Sequence, residues 1–191
     1  MAKTLGGDTA PKAESLLQAA GAARGRGLPP VHLWDPPFCG DIDMRIARDG
    51  TWFYLGTPIG RPEMVRLFSS ILKREGDAHF LVTPVEKVGI RVDDAPFVAV
   101  DFTQGGGDIT FETNVGELVT AGADNPIRVD LDPATREPSP YLHVRRDLWA
   151  LIDRKSFYRL VDLGTVEGDA FGVRSGGRFF AIAPAADLAA G

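Results

Sequence analysis

Ile42, Met44 and Ile46 alternate with Asp43, Arg45 and Ala47, Asp49-Gly50 follows, and residues 51–55 are aromatic and β-prone, which predicts a β-hairpin. The period then changes. Pro62 suits a first helical position, and Met64, Val65, Leu67, Phe68, Ile71 and Leu72 form a helical stripe that stops before Gly76. Residues 79–92 and 96–102 read as strands joined at Asp93-Asp94-Ala95, and 109–114, 117–120 and 127–131 as further strands. Helical spacing returns over 146–152 and 156–163 and ends at Gly164. Residues 171–174 and 178–183, joined by Ser175-Gly176-Gly177, close the pattern as a hairpin.

The chain repeats itself. Arg48-Asp49, Trp52, Arg61-x-x-Met64-Val65-Arg66-Leu67-Phe68, Val88-Gly89-Ile90-Arg91 and Phe97-Val98-Ala99-Val100 recur as Arg146-Asp147, Trp149, Arg154-x-x-Phe157-Tyr158-Arg159-Leu160-Val161, Phe171-Gly172-Val173-Arg174 and Phe179-Phe180-Ala181-Ile182, at spacings of 98, 93 and 83 residues for Arg48, Arg61 and Gly89. The predicted fold is α+β: two small lobes of mostly antiparallel sheet, each with a short helix, related by an internal repeat with a cleft between them. Residues 1–27 are expected to be a flexible tail or arm in which only 13–23 is helical; the lobes are 28–132 and 133–191, with strands from 109–131 assignable to either. The division is placed in the proline-rich 132–140 stretch.

The 191 residues include 44% hydrophobic and 25% charged residues, which supports real cores and excludes general disorder, while 22 Gly and 14 Pro favour turns over long helices. A net charge of −5 and the lack of a basic block argue against nucleic-acid and membrane partners, since duplex affinity usually needs roughly 6 to 10 phosphate contacts. Neither a signal-peptide core in residues 1–12 nor a long apolar run occurs, and Cys39 is the single cysteine, so a reducing, cytoplasmic location is expected. Three scattered histidines make a conventional zinc site a poor fit.

Arg61 and Arg154 precede their helices, where free amides and the dipole favour an anion and a guanidinium adds a bidentate fork; each could equally pair with a neighbour such as Asp153. Arg91 and Arg174 follow Gly-x in both copies, lining a cleft or an exposed strand face. Trp34, between two proline pairs, is a stacking platform or an anchor, and Trp52 a second cover for a flat ligand. Thr113 and Asn114 offer polar groups to ligand hydroxyls or to a turn. Asp41 and Asp43 on one strand face could hold a divalent metal, and Cys39 is a nucleophile lacking an evident base or a buried thiol.

The stretch Pro29-Pro-Val-His-Leu-Trp-Asp-Pro-Pro-Phe-Cys-Gly-Asp-Ile-Asp-Met-Arg-Ile, with Asp49-Gly-Thr-Trp-Phe-Tyr and Pro58-Ile-Gly-Arg61, resembles a proteobacterial domain-of-unknown-function family, number 1285. Val144-Arg145, Arg154, Phe157-Tyr158 and Ser175-Gly176-Gly177-Arg178-Phe179-Phe180 resemble its second lobe. The resemblance implies a two-lobed α+β protein with an interdomain cleft for a nucleotide-like ligand and a role in signalling; it carries over no catalytic residue. The expected function is a cytoplasmic ligand-binding protein in which Arg61 and Arg154 neutralise an anionic small molecule, its cofactor and oligomeric state unspecified. The rivals are a metal-dependent phosphate-ester or nucleotide hydrolase using Asp41 and Asp43, and an adaptor that pairs through strand edges.

Overall fold

The computed structural model describes residues 13–25 and 27–190. The tail expected for 1–12 lies outside them. The described residues divide into two compact units, those up to 45 with 51–92, and 46–50 with those from 93 onward.

In the first unit, α1 (Ala13–Ala23) buries Leu16 and Ala20 and contacts α2 (Pro62–Ser70). One six-stranded sheet runs β3 (Thr57–Pro58), β2 (Trp52–Tyr54), β1 (Phe38–Ile46), β6 (Lys87–Val92), β5 (Ala78–Val82), β4 (Leu72–Glu75). Its core includes Met44, Trp52, Phe68, Ile71, Leu81 and Val88, each at most 1% exposed. The predicted α2 stripe extended to Leu72, but the helix ends at Ser70 and Leu72 opens β4. Leu72 pairs with Leu81 and Glu75 with Ala78, so ladder bonds across a tight hairpin displace the last helical turn.

In the second unit, the six-stranded sheet runs β10 (Ile127–Leu131), β11 (Pro138–Arg145), β12 (Leu148–Ile152), β7 (Phe97–Gly105), β8 (Asp108–Thr113), β9 (Leu118–Thr120). A three-stranded sheet, β13 (Thr165–Glu167), β14 (Ala170–Ser175), β15 (Arg178–Pro184), follows α3 (Arg154–Asp162), which packs against β7 and β14. The strands over 97–131, which the sequence left assignable to either lobe or placed in the first, therefore belong to the second unit. The proline-rich stretch is a loop inside the β10–β11 hairpin: Leu131 pairs with Pro138, and the Asp132 carboxylate accepts the Ala134 and Thr135 amides. Those bonds hold the Asp132 carboxyl below its ordinary range.

The helical spacing seen over 146–152 is a strand. Leu148, Ala150 and Ile152 are buried while Trp149 and Leu151 are half-buried, a period of two, and Arg146 and Asp147 turn the chain with φ of 45° and 63°.

Both units share an order of hairpin, helix and three-stranded meander, so the repeat is real. Its register differs from the matched residues. Glu75-Gly76-Asp77-Ala78 and Glu167-Gly168-Asp169-Ala170 build the same two-residue turn, with Gly76 at φ 60° and Gly168 at φ 61°. A positive φ at the first central position is the glycine signature of a II′ hairpin. This spacing of 92 residues makes β14 the counterpart of β5, not of β6.

Candidate functional site

β12 runs parallel to β7, with Ile152 opposite Ala99, and its last bond is Asp153 N donating to Ala99 O at 3.0 Å. Extended there (φ −65°, ψ 160°), Asp153 accepts the Ser156 amide on its carboxylate at 2.7 Å and starts α3. The sequence folds locally this way because an aspartate before an apolar helical stripe satisfies an otherwise unpaired amide. Arg154 is thereby fixed as the first helical residue, exposed, while Phe157 turns inward.

These residues border a cavity of about 610 Å³ lined by second-unit residues: Arg154, Asp153, Phe157 and Tyr158 from α3's first turns, Arg48 and Ser139 on another wall, and Asp132 and Glu137 from the hairpin loop. Among the described residues no ion pair engages Arg154. Asp153 is committed to its cap and Asp132 to its turn, and Arg48 is paired with Asp94 at 3.2 Å, so Glu137 and Arg154 are the charged residues that line this ligand-sized space without an ion pair among the described residues.

The other sequence candidates are dispersed. Arg61 is the N-cap of α2 and exposed, and it also makes no ion pair among the described residues. Trp34 is half-buried, and its backbone carbonyl accepts Lys73 Nζ at 3.3 Å. Trp52 as a ligand cover is corrected: it is 1% exposed and stacks on Phe68 at 6.1 Å and 12°, because its strand face is the core face. Thr113 and Asn114 are likewise spent on structure. Thr113 Oγ1 accepts the Glu117 amide, and the Asn114 amide group accepts from Val98 N at 3.0 Å and donates to Gly50 O at 3.3 Å. Arg91 is exposed on β6, and Arg174 is clamped by Glu167, an ion pair that raises its pKa.

Asp41 lies across Gly89, with its Oδ1 1.9 Å from where a side chain at that glycine would begin. Among the described residues no group of three His, Cys, Asp or Glu side chains gathers around it. Cys39 is exposed, not buried, with its thiol directed at Pro37 O. Sequence reasoning missed Arg48 and Tyr158 as cavity residues. Arg48 belonged to a recognised repeat, and the signal available was that a repeated Arg-Asp pair beside a hairpin turn projects side chains from the end of a sheet.

Geometry thus defines a two-unit α+β protein with a mixed-charge cavity in its second unit. The chain matches the models "Domain of unknown function (DUF1285), N-terminal domain" over residues 29–95 and "Protein of unknown function (DUF1285), C-terminal domain" over 96–182. A DUF1285 family protein from Silicibacter pomeroyi DSS-3 shares 65% identity and a TM-score of 0.83, covering 91% of this chain and 97% of that one. One from Shewanella baltica OS155 shares 33% identity and a TM-score of 0.51, covering 62% of this chain and 90% of that one. The chain belongs to the DUF1285 family. No curated protein matches it. Among the described residues no helix is long and apolar enough to cross a membrane.

Proposed function

We propose that this is a cytoplasmic, non-catalytic ligand-binding protein that takes an anionic, nucleotide-like small molecule in the cavity at the start of α3, as the input to a signalling role. The observation that carries the reading is Arg154: an exposed guanidinium at a helix start, without an ion-pair partner among the described residues, on the wall of a 610 Å³ cavity. Net charge does the rest of the selection. At −5 the surface as a whole repels anions, so an anion is retained only where a local cation faces it. Tyr158, 60% exposed beside Arg154, gives a flat ring for a base.

Calorimetric titration with adenosine 5′-monophosphate and with adenosine tests this. The wild-type protein should prefer the phosphorylated probe, and Arg154→Gln should lose roughly ten- to hundredfold of that affinity while melting normally, as expected for a charge-assisted hydrogen bond. A wild-type protein that binds both probes equally, or neither, overturns the proposal. So does a variant whose affinity for both probes falls in step with its stability.

A further inference from the structure

The second guanidinium on the cavity wall is held in a way that a surface arginine is not. Arg48 Nη1 meets Asp94 Oδ2 at 3.2 Å, and Nη2 donates to Ser139 Oγ at 3.1 Å. Asp94 is itself anchored, because the Tyr141 hydroxyl donates to its Oδ1 at 2.7 Å. The Tyr141 ring is buried and the Asp94 side chain is 17% exposed, whereas the Arg48 side chain is 60% exposed and borders the cavity. One edge of the guanidinium is therefore fixed. Its five N–H groups are not exhausted by two partners, which leaves donors for a ligand in the cavity that Arg48 borders.

Resting on the reading of the cavity given above, we infer that Arg48 is its second anion contact, that Tyr141 and Asp94 are positioning residues that aim it, and that the ligand class is a phosphate monoester with free sugar hydroxyls. Two arginines from separate elements suit a phosphate, which carries several acceptor oxygens. The carboxylates on the same wall exclude a bare anion from being the best ligand. Glu137, exposed and without an ion pair among the described residues, can accept a hydroxyl but repels a free phosphate ion. Tyr141 stays a donor under all ordinary conditions, since burial, followed by its bond to Asp94, pushes its pKa up to about 12.

The test is a double-mutant cycle read by titration with adenosine 5′-monophosphate, adenosine and inorganic phosphate. Arg48→Gln should weaken the nucleotide roughly ten- to hundredfold and Tyr141→Phe roughly two- to tenfold, with adenosine unaffected. In the Arg48→Gln background Tyr141→Phe should cost nothing further, which a merely structural tyrosine would not show. Inorganic phosphate should bind more weakly than the nucleotide throughout. If Arg48→Gln melts early, Arg48→Lys keeps the charge without the fork, and wild-type affinity in that variant overturns the aimed-fork argument. Wild-type nucleotide affinity in Arg48→Gln and Tyr141→Phe, beside a loss in Arg154→Gln, sinks this inference and leaves the cavity reading standing. Absence of phosphate-dependent affinity in the wild type sinks both.

Discussion

Ser175→Ala should be among the most damaging single-atom deletions in the second unit. The side chain is wholly buried at the end of β14, where its Oγ accepts Ile109 N at 2.8 Å and donates to Ala121 O at 2.7 Å. Ala121 N already donates to Ile109 O at 2.9 Å, so the hydroxyl sits where the reciprocal ladder bond between β8 and the residue after β9 would form. Removing it leaves one amide and one carbonyl buried and separated by the width of an oxygen atom. They cannot simply close up, because Gly176 is already packed on Ala121: a Cβ on that glycine would stand 2.8 Å from Ala121 O. Each orphaned group costs about 1–3 kcal/mol, and partial relaxation brings the sum to roughly 2–4 kcal/mol. For a chain of this size that is roughly 5–15 °C in the melting transition of the second unit. Thermal denaturation followed by circular dichroism measures the total, and hydrogen exchange at the Ile109 amide localises it. A transition within about 2 °C of wild type, with Ile109 equally protected, would refute the claim that Ser175 replaces a ladder bond.

Asp153→Ala should destabilise α3 by about 1 kcal/mol while Asp153→Asn, which keeps the acceptor for Ser156 N, should cost only a fraction of that in a thermal melt; equal losses would deny the cap. Acid should destabilise the first unit through Glu75, whose carboxyl is held low by hydrogen bonds from Lys87 Nζ at 2.9 Å and then from Lys73. A depressed folded-state pKa contributes stability that is complete above the ordinary value of 4.5 and is lost as pH falls through the folded value, so Glu75→Gln should flatten the acid limb of a melting-temperature profile below that pH, and an unchanged limb would count against it.

Elements whose local chemistry agrees with their tertiary surroundings were legible. Asp49-Gly50 and Ser175-Gly176-Gly177 announced their turns, and Pro62 the start of α2. Residues 146–152 fit both patterns because Leu148 and Ile152, four apart, share a face in a helix and in a strand alike, and only Trp149 tips so short a span towards the helical period. Parallel pairing with β7, a partner some fifty positions earlier, decided the matter, and no local pattern carries that information. The site shows the same division. Arg154 could be found because a helix start is a local feature, whereas Arg48, Ser139 and Tyr141 become neighbours only through the strand register that brings 46–50 against the second unit's own residues.

Sequence equivalence between the two arginines also turns out not to be structural equivalence. The Arg-x-x-apolar motif matches Arg61 to Arg154 at a spacing of 93, but burial matches Phe68 to Leu160, which sets the helices 92 apart. Pro62 explains the slip. A residue before proline is driven out of the helical region, and Arg61 has φ −107° and ψ 106°, so it becomes the cap of α2 and brings no acceptor for the free amides. In the second copy no proline follows, Asp153 takes the cap, and the arginine is admitted to the helix one position later. A cap residue and a first helical residue project from the axis in directions roughly 100° apart. The repeat thus supplies two copies of a helix start but only one arginine that follows a side-chain cap and borders the cavity, which is why the proposed function is built on Arg154 and not on the pair.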